Sequence, residues 1–246
     1  MGELIAVISG KGGTGKTSIC AALAIALASS GSRVLCIDCD VGLRNLDISL
    51  GISDCYSLSF LDILEKEHLL TFATQHPTYP TLFFLTAPVN RPVDEINPAA
   101  FADMLQDARK HYDYVFLDAP AGVDAGFRLV AVPADRLLLV TGPGPAAVRD
   151  AARVGELLEL MGKKNVRLIV NRVQKSMLSQ LKVTVDDVMD TAGLPLIGVV
   201  LEDPNVTLSA SCGMPLQRYS KRSPAATACR KIAKRIQGRP VPITYR

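Results

Sequence analysis

A chain of 246 residues with 27 Lys or Arg, 24 Asp or Glu and 48% hydrophobic residues can build one substantial core, and its composition excludes wholesale disorder and a fibrous repeat. The net charge of +3 implies no nucleic-acid partner by itself, and no uninterrupted apolar segment reaches the roughly 18 residues of a membrane-spanning helix. Cysteines at 20, 36, 39, 55, 212 and 229 lack the dense framework of a small secreted protein, so free thiols in a reducing cytoplasm are expected, the Cys36/Cys39 pair included.

In chain order, Met1-Gly2-Glu3 shows no basic leader and Leu4–Ile8 is a short apolar strand. Ser9–Lys16 is glycine-rich and Thr17–Ser29 is a strong helix former that stops beside Ser30-Gly31. Val34–Asp38 supplies a second strand, and further apolar runs at Leu82–Leu85, Tyr114–Leu117, Leu137–Val140, Arg167–Val170 and Leu196–Val199 suit strands buried on both faces of a parallel sheet. Helix-length stretches lie between them at Pro98–Lys110, Ala146–Met161 and Leu178–Ala192, with a last one at Ala225–Ile236. The alternation predicts an α/β fold, a mostly parallel sheet flanked by helices through right-handed crossovers, in one domain over residues 1–246. His76-Pro77-Thr78-Tyr79-Pro80 reads as a surface loop. His68, His76 and His111 lack metal-motif spacing, so solvated or locally hydrogen-bonded roles are expected of them.

Gly10-Lys11-Gly12-Gly13-Thr14-Gly15-Lys16-Thr17 satisfies Gly-x-x-x-x-Gly-Lys-Thr and sits between a strand and a helix, the context that a phosphate loop needs. Its glycines let backbone amides turn inward around an anion, and the helix that follows adds the positive end of its dipole. Lys16 is placed to meet β- and γ-phosphate oxygens and Thr17 to ligate Mg²⁺, with Gly10 through Ser18 as the nucleotide-binding set. Asp38 and Asp40 follow the second strand, where an open α/β sheet puts its ligand crevice, and can bracket an Mg²⁺–phosphate assembly if the chain turns after Asp38. Tyr114–Leu117 runs into Asp118, the arrangement of a Walker B contact to Mg²⁺ or its water shell. Asp40 is placed to orient the attacking water; its unperturbed carboxylate is a poor base, so positioning must supply the effect.

These motifs resemble the MinD/ParA family of P-loop ATPases with a deviant phosphate loop, the group that includes the nitrogenase iron protein. The resemblance rests on Lys11-Gly12-Gly13-Thr14-Gly15-Lys16-Thr17, on Asp38 through Asp47, on Asp118-Ala119-Pro120-Ala121-Gly122-Val123, on Asn171-Arg172-Val173 and on Glu202-Asp203-Pro204-Asn205-Val206. Gly42-Leu43-Arg44-Asn45-Leu46-Asp47 is especially MinD-like. The resemblance implies an ATP- and Mg²⁺-dependent homodimer in which Lys11 crosses to the partner's phosphates while Lys16 serves its own nucleotide. It places Asp40 in switch I and Asp118–Val123 in Walker B and switch II. It has Asn171 read the adenine, with Arg172 beside it and the Glu202-Asp203-Pro204 loop at the base or ribose. It also implies placement of the bacterial division site, with a division inhibitor and an activating regulator as partners, in the cytoplasm or peripherally at the inner face of the membrane.

Two rivals stay open at this point: a DNA-partition or flagellar-placement ATPase with the same catalytic residues, and a nucleotide-binding scaffold that hydrolyses nothing. From Arg218 to Arg246 there are nine Lys or Arg and no acid, yet the segment lacks aromatic interleaving or a recognition motif, which disfavours DNA. Gly238–Arg246 carries Pro240 and Pro242, which exclude the interior of an amphipathic membrane helix there and weaken the membrane reading.

Overall fold

Runs without a polar side become strands covered on both faces. In the computed structural model, which describes residues 1–41, 43–65, 73–89 and 91–244, eight strands form one sheet. Gly42 and His68 lie outside the described residues. The chain runs β1 (Glu3–Ile8), α1 (Lys16–Ala28), β2 (Val34–Asp38), α2 (Leu46–Leu50), α3 (Phe60–Glu65), β3 (Thr74–Gln75), β4 (Leu82–Leu85) and α4 (Pro98–His111). It continues through β5 (Tyr114–Asp118), α5 (Ala125–Ala131), β6 (Arg136–Thr141), α6 (Pro145–Leu160), β7 (Val166–Val173), α7 (Lys175–Leu181), α8 (Val185–Ala192), β8 (Leu196–Leu201), α9 (Pro204–Ser211), α10 (Leu216–Tyr219) and α11 (Pro224–Ile236). The strand order is β3-β4-β2-β5-β1-β6-β7-β8, parallel throughout except for β3 on β4.

Alternate residues of each strand enter different layers. Leu4, Ala6 and Ile8 pack with α4, α5, α6 and α8 on one face, while Ile5 and Val7 pack with α1 and α11 on the other. Helix α1 lies between the sheet and α11, and nearly every residue after its first turn is buried, so it has no polar face to show a helical period. β1 is central, with β5 on one side and β6 on the other. The carboxyl ends of β1, β2, β5 and β7 therefore converge where an open α/β sheet forms its crevice.

Two expectations need correction. The helix predicted over 178–192 is two helices. Lys182 takes a left-handed backbone (φ 51°), and a capping box between Thr184 and Asp187 starts α8 afresh. His76 is buried rather than on the surface with the rest of its loop: Nε2 donates to Leu50 O (2.9 Å), and Nδ1 accepts from Thr78 N (3.0 Å) and Tyr79 N (3.3 Å). It is locally hydrogen-bonded, while His111 is exposed.

Helix α11 turns Ala226, Cys229, Ile232 and Ile236 inward, so its apolar face belongs to the core. Beyond it, Arg235 donates to Val241 O (2.8 Å) and Pro242 O (2.6 Å), laying the following segment back on the helix. Among the described residues no helix is long and apolar enough to cross a membrane, and the cysteines are free thiols.

Candidate functional site

The loop from Gly10 to Gly15 leaves β1 and enters α1, with Gly13 and Gly15 at φ 80° and 86°. Only glycine takes those angles without strain. At Gly15 the space is closed as well, since a Cβ would collide with the Asn171 amide. Lys11, Gly12 and Gly13 are exposed at the lip, whereas Lys16 points inward. Its Nζ donates to Asp118 Oδ1 (2.8 Å) and lies 3.4 Å from Thr17 Oγ1.

With side-chain exposures of 7% for Lys16 and 1% for Asp118, this ion pair is buried. Burial alone would lower the lysine pKa, but the Asp118 charge and hydrogen bond outweigh it and raise the value. Asp118 Oδ2 is buried without a partner.

Asp38 sits opposite Asp118 in the parallel register. Its Oδ1 accepts from Asp40 N (3.0 Å), and its Oδ2 accepts from Asn45 N (3.1 Å) and Leu46 N (3.0 Å). The turn needed after Asp38 is thus made, and Asp38 itself fixes it. Burial and the neighbouring Asp118 push the Asp38 carboxyl up to about 6, against the pull of the three amides. Asp40, half-buried, lines the phosphate end of the cleft; burial raises its pKa while Lys16 opposes the rise.

Two connected hollows make up the cleft. One, of about 370 Å³, is lined by Gly12–Ser18, Asp40 and Ala121. The other, of about 330 Å³, is lined by Asn171, Arg172, Glu202, Asp203, Val206 and Thr207 among others. Gly13, Gly15, Ser18 and Ser49 border both. The result is an elongated site with an amide-rich end for phosphates and a second hollow beside it that can take a base. Gly10 lies outside both linings, packed on the backbone of Asp150.

Asn171 Nδ2 donates to Thr14 O (2.8 Å), and Arg172 Nη1 donates to Gly13 O (2.8 Å), so both residues brace the loop from outside. Asp203 is a structural cap. It accepts from Asn205 N (3.0 Å) at the start of α9, and from Ser223 Oγ and Ala225 N at the start of α11. Burial works against its ionisation, but these bonds hold its pKa below the usual carboxylate value. Pro204 is the first residue of α9.

Mg²⁺ fits the residues present. Thr17 and the partnerless Asp118 Oδ2 offer hard oxygen ligands or partners for its waters, beside the lysine that would meet the phosphates. Among the described residues no cluster of three or more His, Cys, Asp or Glu could hold a metal alone. Sequence reasoning missed Ser49 and Thr207 in the cleft wall. Neither belongs to a motif that announces chemistry.

Comparison with known proteins agrees with this geometry. Residues 5–216 match the CobQ/CobB/MinD/ParA nucleotide binding domain. The septum site-determining protein MinD of Synechocystis sp. is 39% identical over 245 residues, which cover 98% of this chain and 92% of that protein. In the MinC:MinD cell division protein complex of Aquifex aeolicus, the matching chain superimposes with a TM-score of 0.90 at 34% identity, covering 99% of this chain and 98% of that one. The septum site-determining MinD of Pyrococcus horikoshii, complexed with Mg-ADP, gives 0.84 at 28% identity over 96% of each chain. The chain belongs to the CobQ/CobB/MinD/ParA family of nucleotide-binding domains and, within it, to the septum site-determining MinD proteins.

Proposed function

We propose that the protein is an Mg²⁺-dependent ATPase whose ATP-loaded form dimerises and helps to place the bacterial division site. The observation that carries this reading is the division of labour between two lysines of one loop. Lys16 is buried against Asp118 on the inner side of the loop, while Lys11 is exposed at the lip, open to a second molecule.

On nucleotide binding Lys16 exchanges Asp118 for β- and γ-phosphate oxygens, which the loop amides also meet. Mg²⁺ held by Thr17, with Asp118 and Asp38 behind it, would supply positive charge to those oxygens. Asp40 orients the attacking water, and Lys11 of a second copy neutralises the charge that develops, so turnover waits for assembly. The Asn171 amide nitrogen is engaged by Thr14 O, which leaves its carbonyl oxygen to accept from the adenine amino group. Glu202 and Asp203 border the base end, and Pro204, outside its lining, starts α9 after them.

The Aquifex relative in complex with MinC supports a division inhibitor as partner, and an activating regulator completes the scheme. A cytoplasmic protein that works at the inner face of the membrane fits this role.

The test is molar mass in solution with Mg²⁺ and either ATP or ADP, for the wild type and Asp40→Ala. A dimer that forms with ATP alone and persists longer in Asp40→Ala is expected, and Lys11→Ala should lower turnover. ATP binding without dimer formation in either protein at any concentration would overturn the dimer mechanism and favour a nucleotide-binding scaffold.

A further inference from the structure

The pairing of β7 with β8 contains a defect beside the phosphate loop. Val170 pairs with Val199 and Val173 with Leu201, so three steps along β7 match two along β8. The extra residue makes a β-bulge, and Arg172 within it has a left-handed backbone at φ 58°. In a regular strand the side chains of residues 171 and 172 would point to opposite faces. Here both reach the same loop, and they take successive carbonyls, Thr14 O from Asn171 and Gly13 O from Arg172. The Arg172 guanidinium also donates through Nε to Glu202 Oε2 (3.1 Å), at the start of the segment that walls the base end.

A loop that turns its amides toward an anion turns carbonyls away from it, and those carbonyls need donors. We propose that Arg172 is a positioning residue of the phosphate loop. It ties Gly13 O to Glu202, so that the loop amides stay aimed into the cleft and the lip that bears Lys11 keeps its place. The bulge and the left-handed backbone are what allow an arginine at this point to reach the loop. Without them its side chain would leave from the other face of the sheet. The role rests on the nucleotide reading above for its consequence, but not for its geometry.

Hydrogen exchange on the nucleotide-free protein tests the geometry, and equilibrium binding tests the consequence. In Arg172→Ala, amides of residues 10–16 should exchange several-fold faster, while the melting temperature and exchange elsewhere stay at the wild-type level. Affinities for ATP and ITP, which differ only along the N1–C6 edge of the purine, should fall together by about fivefold to tenfold, the effect of a lost charge-assisted bond at an exposed position. Glu202→Gln should give a smaller change in the same sense. Arg172→Lys should recover part of the affinity, because an ammonium can reach Gly13 O but cannot fork to both partners. Arg172→Gly, which accepts the backbone angle freely, should exchange as fast as Arg172→Ala, separating the side chain from the backbone.

Unchanged exchange in residues 10–16 would overturn the proposal, as would a loss of affinity for ATP that spares ITP, the mark of a base contact. If the wild type binds no nucleotide, the function proposed above fails, and the exchange data still decide the role of Arg172.

Discussion

Replacing Lys16 by Met keeps the aliphatic stem and removes the ammonium that faces Asp118 at 2.8 Å. Asp118 is then left buried beside Asp38, its register partner, with Oδ2 still unpartnered. Removing one member of a buried ion pair costs about 3–5 kcal/mol. For a chain of this size each kcal/mol shifts the melting point by about 2–4 °C, so a drop of about 6–20 °C is expected. Asp118→Asn should cost less than Lys16→Met. It strands the lysine but removes the charge that helps to raise the Asp38 pKa. The double variant should lose at least 2 kcal/mol less than the sum of the singles, about the coupling of a close buried pair. Urea and thermal unfolding in EDTA, without nucleotide, measure all four proteins. A Lys16→Met protein that melts within about 2 °C of the wild type, or singles that simply add, would refute the view that this pair holds the empty site together.

Gly198 on β8 has no room for a Cβ, which would strike Ile232 of α11. Gly198→Ala should therefore lower stability by about 1–3 kcal/mol through overpacking, and its combination with Ile232→Ala should lose less than the sum of the two singles in urea unfolding. If Gly198→Ala leaves the midpoint unchanged, α11 is not seated on β8 as described. The neutral His76 ring is held by its contacts, and burial, the main cause, keeps its pKa below 6.5 despite the Leu50 carbonyl, with the Arg218 charge facing it from α10. A lowered value means that its contribution is fully present above pH 6.5 and is lost as the pH falls through the folded-state pKa. Protonation of Nδ1 removes the acceptor for Thr78 N and Tyr79 N. The wild type should lose more melting temperature between pH 7 and pH 5 than His76→Asn, whose amide oxygen can take over the acceptor role. Parallel curves would rule His76 out.

The residues whose chemistry is fixed by type were legible in the sequence. Lys16 and Asp118 are 102 residues apart, yet Asp118 closes β5 and Lys16 follows β1 through the glycine loop at the same end of the sheet, and parallel pairing of the two strands does the rest. Asp38 was visible as an acid but not in its manner of acting. Its partners are backbone amides of Asp40, Asn45 and Leu46, and every residue but proline carries such a group, so no side-chain pattern announces them. The break at Lys182 was hidden because apolar spacing continues from Leu178 to Val185 and Val188, and only the Thr184–Asp187 box marks a new start. His76 escaped for the opposite reason. Its neighbours Pro77 and Pro80 signal a loop, and the buried ring is decided by the distant Leu50 carbonyl.

On the proposed mechanism, the two carboxylates at the centre of the site would couple the loop, the turn that carries Asp40 and the cation. Lys16 neutralises Asp118, while Asp38 holds the turn that carries Asp40 through three backbone amides. Drawing Lys16 to a phosphate would leave Asp118 without its cation, directly across from Asp38, in surroundings that already raise the pKa of the latter. A phosphate group alone adds negative charge to that cluster and makes it worse. A divalent cation bound with the phosphate would reverse the balance and favour ionised Asp38, with its three amide bonds to the turn around Asp40. On the proposed mechanism, order in that turn would follow the charge state of the cluster that receives the nucleotide.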